Sequence, residues 1–156
     1  MLSLQHNAEL SDMNYIGRPV PVPRPLGIPI IKPPYGRITA IDLNTGDHAW
    51  MIPNGEPPAA LKNNPALKGI DISKFGSPDR APLLVTKSLL FAGEGADGPG
   101  FRALNKKTGE TVYQITLPGN ETGLPMTYAV NGRQFIVVTV VGKDSAELVA
   151  LAVPAQ

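Results

Sequence analysis

Four polar residues stand on short glycine-rich segments where a ligand could be met. Glu94 and Asp97 fall in Gly93-Glu94-Gly95-Ala96-Asp97-Gly98, and Lys143 and Asp144 follow Val141-Gly142. A loop carboxylate can accept a proton or a hydrogen bond, and a lysine ammonium donates only. The plain expectation for such groups is a solvated loop. Other chemistries are narrowed more sharply. Cysteine is absent, which excludes disulfides, Cys-ligated zinc and thiol catalysis. His6 and His48 are the only histidines and have no ligand partner at a metal spacing, so a Ser-His-Asp set has no support either. Gly93, Gly95, Gly98 and Gly100 make no dinucleotide fingerprint, because no helix follows them.

The positioning elements read as β-strands joined by turns. Glycine and proline number 16 and 17 in 156 residues, which is high for a helical protein. Apolar residues make up 42%, enough for a packed core in one domain. Charged residues are 17% with a net charge of +1, so no basic nucleic-acid footprint is expected. The longest apolar stretches, such as 135–141, are far shorter than the roughly 20 residues of a membrane-crossing helix. The first residues carry neither the basic nor the apolar region of a signal peptide, so any export signal is expected on sequence outside this chain.

Residues 1–35 read as an irregular, proline-rich connector. Seven prolines fall between 19 and 34, and proline removes backbone donors and fixes φ. No two are spaced Pro-x-x-Pro, so a ligand for an SH3-type groove is not supported. From residue 36 to 156 the chain reads as strands: 37–43, 48–52, 83–85, 88–92, 101–104, 110–117, 126–130, 134–140 and 147–153. Asn131-Gly132 is a strong hairpin signal. A long connection at 53–81 is of the length that often forms a lid or a contact loop.

The repeat is the most specific feature. Ala40-x-Asp42-x-x-Thr45-Gly46-x-x-x-Trp50 matches Ala103-x-Asn105-x-x-Thr108-Gly109-x-x-x-Tyr113. Labelling the strands of one unit A to D, the order is C-D, A-B-C-D, A-B-C. That is an all-β chain of about two and a quarter four-stranded units, the units of a β-propeller. A plain sandwich would not explain an aromatic at a fixed offset from Thr-Gly in both copies. Trp50 and Tyr113 are therefore expected to be largely buried docking residues between neighbouring units.

The repeat resembles the tryptophan-docking motif of quinoprotein dehydrogenases, eight-bladed propellers that bind pyrroloquinoline quinone (PQQ). The runs 33–46, Leu89-Leu90-Phe91-Ala92-Gly93-Glu94-Gly95 and Pro125-Met126-Thr127-Tyr128 are similar to the membrane-type glucose dehydrogenase branch. The resemblance implies the C-terminal part of an enzyme that oxidises an alcohol or aldose with PQQ and calcium. Electrons would pass to a quinone or cytochrome, on the periplasmic side of the inner membrane. The calcium ligands and the catalytic base would come from blades outside this chain. The resemblance further implies that Asp97, with Glu94 beside it, faces the cofactor. Lys143 and Asp144 would lie on the substrate-face loop, where the family's histidine is missing. Some outer-membrane assembly scaffolds carry a related repeat, so a non-catalytic binding scaffold is the second class of function. Partners implied are the remaining blades or further copies of the chain.

Overall fold

The computed structural model describes residues 22–95, 98–142 and 145–153. The chain separates into two compact units, Met1–Ile30 and Ile31–Gln156. The described part of the first holds one 3-10 turn, Pro25–Gly27, with proline at its start. Its prolines leave few backbone donors for anything more regular.

The second unit contains ten strands among the described residues: β1 (Arg37–Ile41), β2 (His48–Pro53), β3 (Leu83–Val85), β4 (Leu89–Gly93), β5 (Gly100–Asn105), β6 (Thr111–Thr116), β7 (Asn120–Glu121), β8 (Met126–Val130), β9 (Arg133–Val141) and β10 (Ala146–Ala152). β1 and β2 form a hairpin, and β3-β4-β5-β6 a complete four-stranded meander. β8, β9 and β10 form a third antiparallel set, with the two-residue β7 pairing on the far end of β9. The strands thus group as two, four and three in chain order, with β7 the one strand that the sequence reading did not include. The hairpin between β8 and β9 turns on Asn131 and Gly132, whose φ angles of 50° and 76° suit the right-handed twist of the strands. Within 54–82 lie a single helical turn, α1 (Ala59–Lys62), and a 3-10 turn, Pro65–Leu67. Tyr35 is tied to this segment by its N–H to the Phe75 carbonyl (2.6 Å) and by edge-on ring contact.

The two Thr-Gly turns are built alike. In the first, the Asp42 side chain accepts from the Asn44 N–H and the Thr45 hydroxyl accepts from the Asp47 N–H. In the second, Asn105 accepts from Lys107 and Thr108 from Glu110. Gly46 and Gly109 close the turns at φ of 79° and 77°. The motif is thus Asp/Asn and Thr tying down a turn whose fifth position, the glycine, is left-handed. Asn44 adds its side-chain amide, which donates to the Asp42 carboxylate.

Two apolar seams join the three sheets. Ile38, Leu90, Ala92 and Leu104, with Trp50 and Ile52, fill the first, between β1-β2 and β3–β6. Phe101, Leu117, Ile136, Val138 and Val140, with Leu84, Phe91, Ile115, Val149 and Leu151, fill the second. Trp50 is partly buried in the first seam. Its Nε1–H donates to the Lys106 carbonyl (3.0 Å) and its ring lies on Gly109. Tyr113 departs from expectation: it is 68% exposed. Trp50 is covered by the Thr108-Gly109 turn of the second sheet, whereas Tyr113 belongs to neither apolar seam among the described residues.

A Cβ on Gly109 would lie 2.8 Å from Trp50 Cε3, whereas one on Gly46 would meet nothing within 4 Å. Gly46→Ala should therefore cost only backbone strain, about 1 kcal/mol. Gly109→Ala should cost about 2–4 kcal/mol, because it also pushes Trp50 from its seat. Urea unfolding of both variants checks this, with the order Gly109 over Gly46 as the decisive result.

Candidate functional site

The meander gathers four connections at one end: 54–82 after β2, 94–99 after β4, 117–125 after β6 and 142–145 after β9. The Thr-Gly turns lie at the opposite end. The buried polar residues Asn54, Ser77, Glu94, Arg102 and Glu121 all belong to the first end or to the strand residues entering it.

Arg102 lies on β5 in register with Ala92 and on the same face as Leu104, so it enters the polar end of the first seam. Its Nη2 donates to the Asn54 Oδ1 at 2.9 Å, and its Nε has no partner. Burial depresses the guanidinium's pKa, while the carboxylates of Glu94 and then Glu56 pull it back. Asn54 is fixed in turn by its own backbone: its N–H reaches the Gly36 carbonyl, and its carbonyl accepts from Ser77. One buried guanidinium therefore connects β5 to the start of the 54–82 connection.

Glu94 is 9% exposed. Its Oε2 accepts from the Gly100 N–H (3.3 Å), and its own N–H donates to the Gly100 carbonyl (3.1 Å). Gly55, Gly98 and Gly100 all press on the side chain, and a Cβ at Gly100 would come within 2.5 Å of its carboxyl carbon. Those glycines leave room for a carboxylate folded under its own loop.

Glu121 on β7 is 2% exposed, opposite Val140 of β9. Neither carboxyl oxygen has a hydrogen-bond partner. Its Oε2 occupies the space that a side chain at Gly93 would need. Burial pushes its pKa up to about 7.

Of the site residues singled out in the sequence, Glu94 lies in this cluster, with its carboxylate turned inward. Asp97, Lys143 and Asp144 lie outside the described residues, as does His6. His48 is exposed on β2. The sequence reading passed over Arg102, Asn54 and Glu121. Arg102 left a signal: it stands at i, i+2 spacing between buried Gly100 and Leu104, where alternation demands an inward residue. Glu121 left none, because Pro118-Gly119-Asn120-Glu121-Thr122-Gly123 reads as an ordinary polar turn.

Among the described residues, no group of three or more His, Cys, Asp or Glu side chains is placed to hold a metal ion. No described helix is long and apolar enough to cross a membrane. The geometry is that of a wall and its rim loops, braced from within.

Comparison with known proteins agrees with this architecture. Residues 4–136 match the PQQ family model described as glucose/ethanol/alcohol dehydrogenase, β-propeller domain. The glycerol dehydrogenase large subunit of Gluconobacter thailandicus is 34% identical over 132 residues, covering 79% of this chain and 17% of that protein. The quinoprotein glucose dehydrogenase of Escherichia coli (strain K12) is 32% identical over 122 residues, covering 78% and 15%. Among solved structures, the quinohemoprotein alcohol dehydrogenase of Comamonas testosteroni superposes with a TM-score of 0.50 at 27% identity, covering 73% of this chain and 14% of that one. The chain thus spans less than a fifth of the length of these relatives. With a family match over most of its residues and a complete four-stranded unit docked through the repeated turn, the chain belongs to the β-propeller family of PQQ glucose/ethanol/alcohol dehydrogenases.

Proposed function

We propose that the chain forms C-terminal blades of a quinoprotein oxidoreductase that oxidises an alcohol or aldose sugar using PQQ and calcium. Electrons pass to a quinone or cytochrome on the periplasmic side of the inner membrane. The observation that carries this reading is the Trp50 joint onto the Gly109 turn, which makes the sheets successive blades, together with the family match.

The described residues do not fit a seat for the quinone. PQQ is itself a polycarboxylate. Arg102, the one buried cation among them, is turned to Asn54, and the nearby acidic groups Glu94 and Glu121 would oppose another anion. The chain's part is structural: it walls the propeller and holds rim loops on the cofactor side. Within this reading Asp97 faces the cofactor, and Lys143 and Asp144 belong to the substrate-side loop. Glu94 supports that face by bracing the 94–99 loop.

The test is a graft. The chain alone, with PQQ, calcium, glucose and an artificial acceptor, should reduce no dye above a protein-free control. Replacing the matching segment of the E. coli quinoprotein glucose dehydrogenase with this chain should restore PQQ-dependent dye reduction. A folded chimera without that activity would favour the non-catalytic scaffold.

The isolated chain should also associate. Ile41, Leu43, Met51, Val112 and Tyr113 are exposed, and burying one large aromatic is worth roughly 2–3 kcal/mol. Whole domains hold only about 5–15 kcal/mol. Light scattering should show dimers or larger species, and a strictly monomeric chain at high concentration with an ordinary melting temperature would contradict the open-face reading.

A further inference from the structure

The second seam ends in a carboxylic acid that the proposed function does not use. Glu121 is 2% exposed, both of its oxygens lack partners, and it is wedged against Gly93. Buried polar groups in folded proteins are nearly always paired, so an unpaired carboxyl at an interface between two sheets calls for a reason.

We propose that Glu121 is a proton-operated latch: its neutral carboxyl lets segment 117–125 close the seam between the second and third sheets, and loss of the proton releases that segment.

The surroundings support this. β9 presents Val140 opposite it, and β4 presents Gly93. The residue after β4, Glu94, has its carboxylate under Gly98 and Gly100, and Arg102 on β5 is turned to Asn54. Lys143 and Asp144, beyond the end of β9, lie outside the described residues. No charged group contributes to the rise of the Glu121 pKa; desolvation alone accounts for it. An isolated carboxylate in such a place is strongly disfavoured, and an uncharged acid is tolerated.

The segment is also poised to leave. β7 pairs with β9 only at Asn120↔Val141 and Glu121↔Val140, with one further bond from the Thr122 N–H to the Thr139 carbonyl, whereas β8 pairs with β9 over 133–137 and β10 pairs with it over 135–141. Releasing β7 therefore need not break the third sheet. It would uncover the cofactor-side end of the second seam, where Leu117 and Val140 are buried.

The sign of the effect follows from linkage. With the segment closed, the carboxyl titrates at about 7; released into water it titrates near 4.5. Release therefore gives up a proton between those values. The closed form is favoured most below about 4.5, loses ground as pH rises, and levels off above about 7.

Hydrogen exchange on the full chain, with rates normalised to intrinsic exchange, tests the latch. Between about pH 5 and about pH 7.5, protection of the 117–125 peptide should fall at least about tenfold, while β4 and β5 stay protected. Glu121→Gln and the apolar Glu121→Met should each abolish the fall. Equal protection at both pH values in the wild type would overturn the proposal. So would an equal fall in a folded Gln or Met variant, or loss of protection in every strand at once. An ion pair from Lys143 to Glu121 would give the first of these results.

Discussion

The first seam depends on one joint, the aromatic ring of one sheet laid on the glycine of the next sheet's turn. A twisted four-stranded sheet cannot cover its own faces, so each must bury one against a neighbour. Trp50 does this where Gly109 has no side chain to keep the ring away, and the indole N–H is satisfied by the Lys106 carbonyl. The two turns have the same hydrogen bonds, but only one carries a ring. The Thr and Asp/Asn side chains shape the turn, and the docking aromatic is a separate requirement supplied by the preceding sheet.

β2 and β5 are pinned at both ends of the first seam. At the turn end, Trp50 of β2 meets residues 106–109 just beyond β5. At the loop end, Asn54 just beyond β2 meets Arg102 of β5. Between the pins lie Ile38, Ile52, Leu90, Ala92 and Leu104. A hydrogen bond to a charged donor is worth about 1.5–3 kcal/mol, and losing one partner would strand a buried guanidinium. The second seam is closed differently. Its apolar part is larger and includes stacked Phe91 and Phe101, but its loop end has an unpaired carboxyl in place of a hydrogen-bonded pair. The first seam is therefore the tied one, and the second is the one with a soft end.

The strand order was legible because its signals are local: period-two alternation, Asn131-Gly132, and two copies of a turn whose side chains bond their own backbone. Strand limits fell within about one residue of those found, except where 37–43 ended two residues early at Ile41. The burial of Tyr113 was misread because a repeat reports that two turns are alike, and says nothing of what lies against the aromatic that follows each. The buried polar cluster was the least legible part. Asn54 and Arg102 meet from positions far apart in sequence, and Glu121 stands apart from them on the short β7. Only Arg102, a charge at an inward strand position, contradicted the local pattern.

Glu94 shows how residue type and place can mislead together. A carboxylate in a run of glycines on a rim loop reads as a ligand, since glycines often leave space for one. Here the glycines leave space for the glutamate itself. Gly55, Gly98 and Gly100 crowd its side chain, and its oxygen closes the loop on the Gly100 N–H. A carboxylate committed to its own backbone in this way acts on the rim by fixing loop 94–99, and on Arg102 by its field. The buried carboxylates among the described residues are thus divided between a braced one and an unpaired one, and it is the unpaired one, which no sequence pattern marks, that is free to answer to pH.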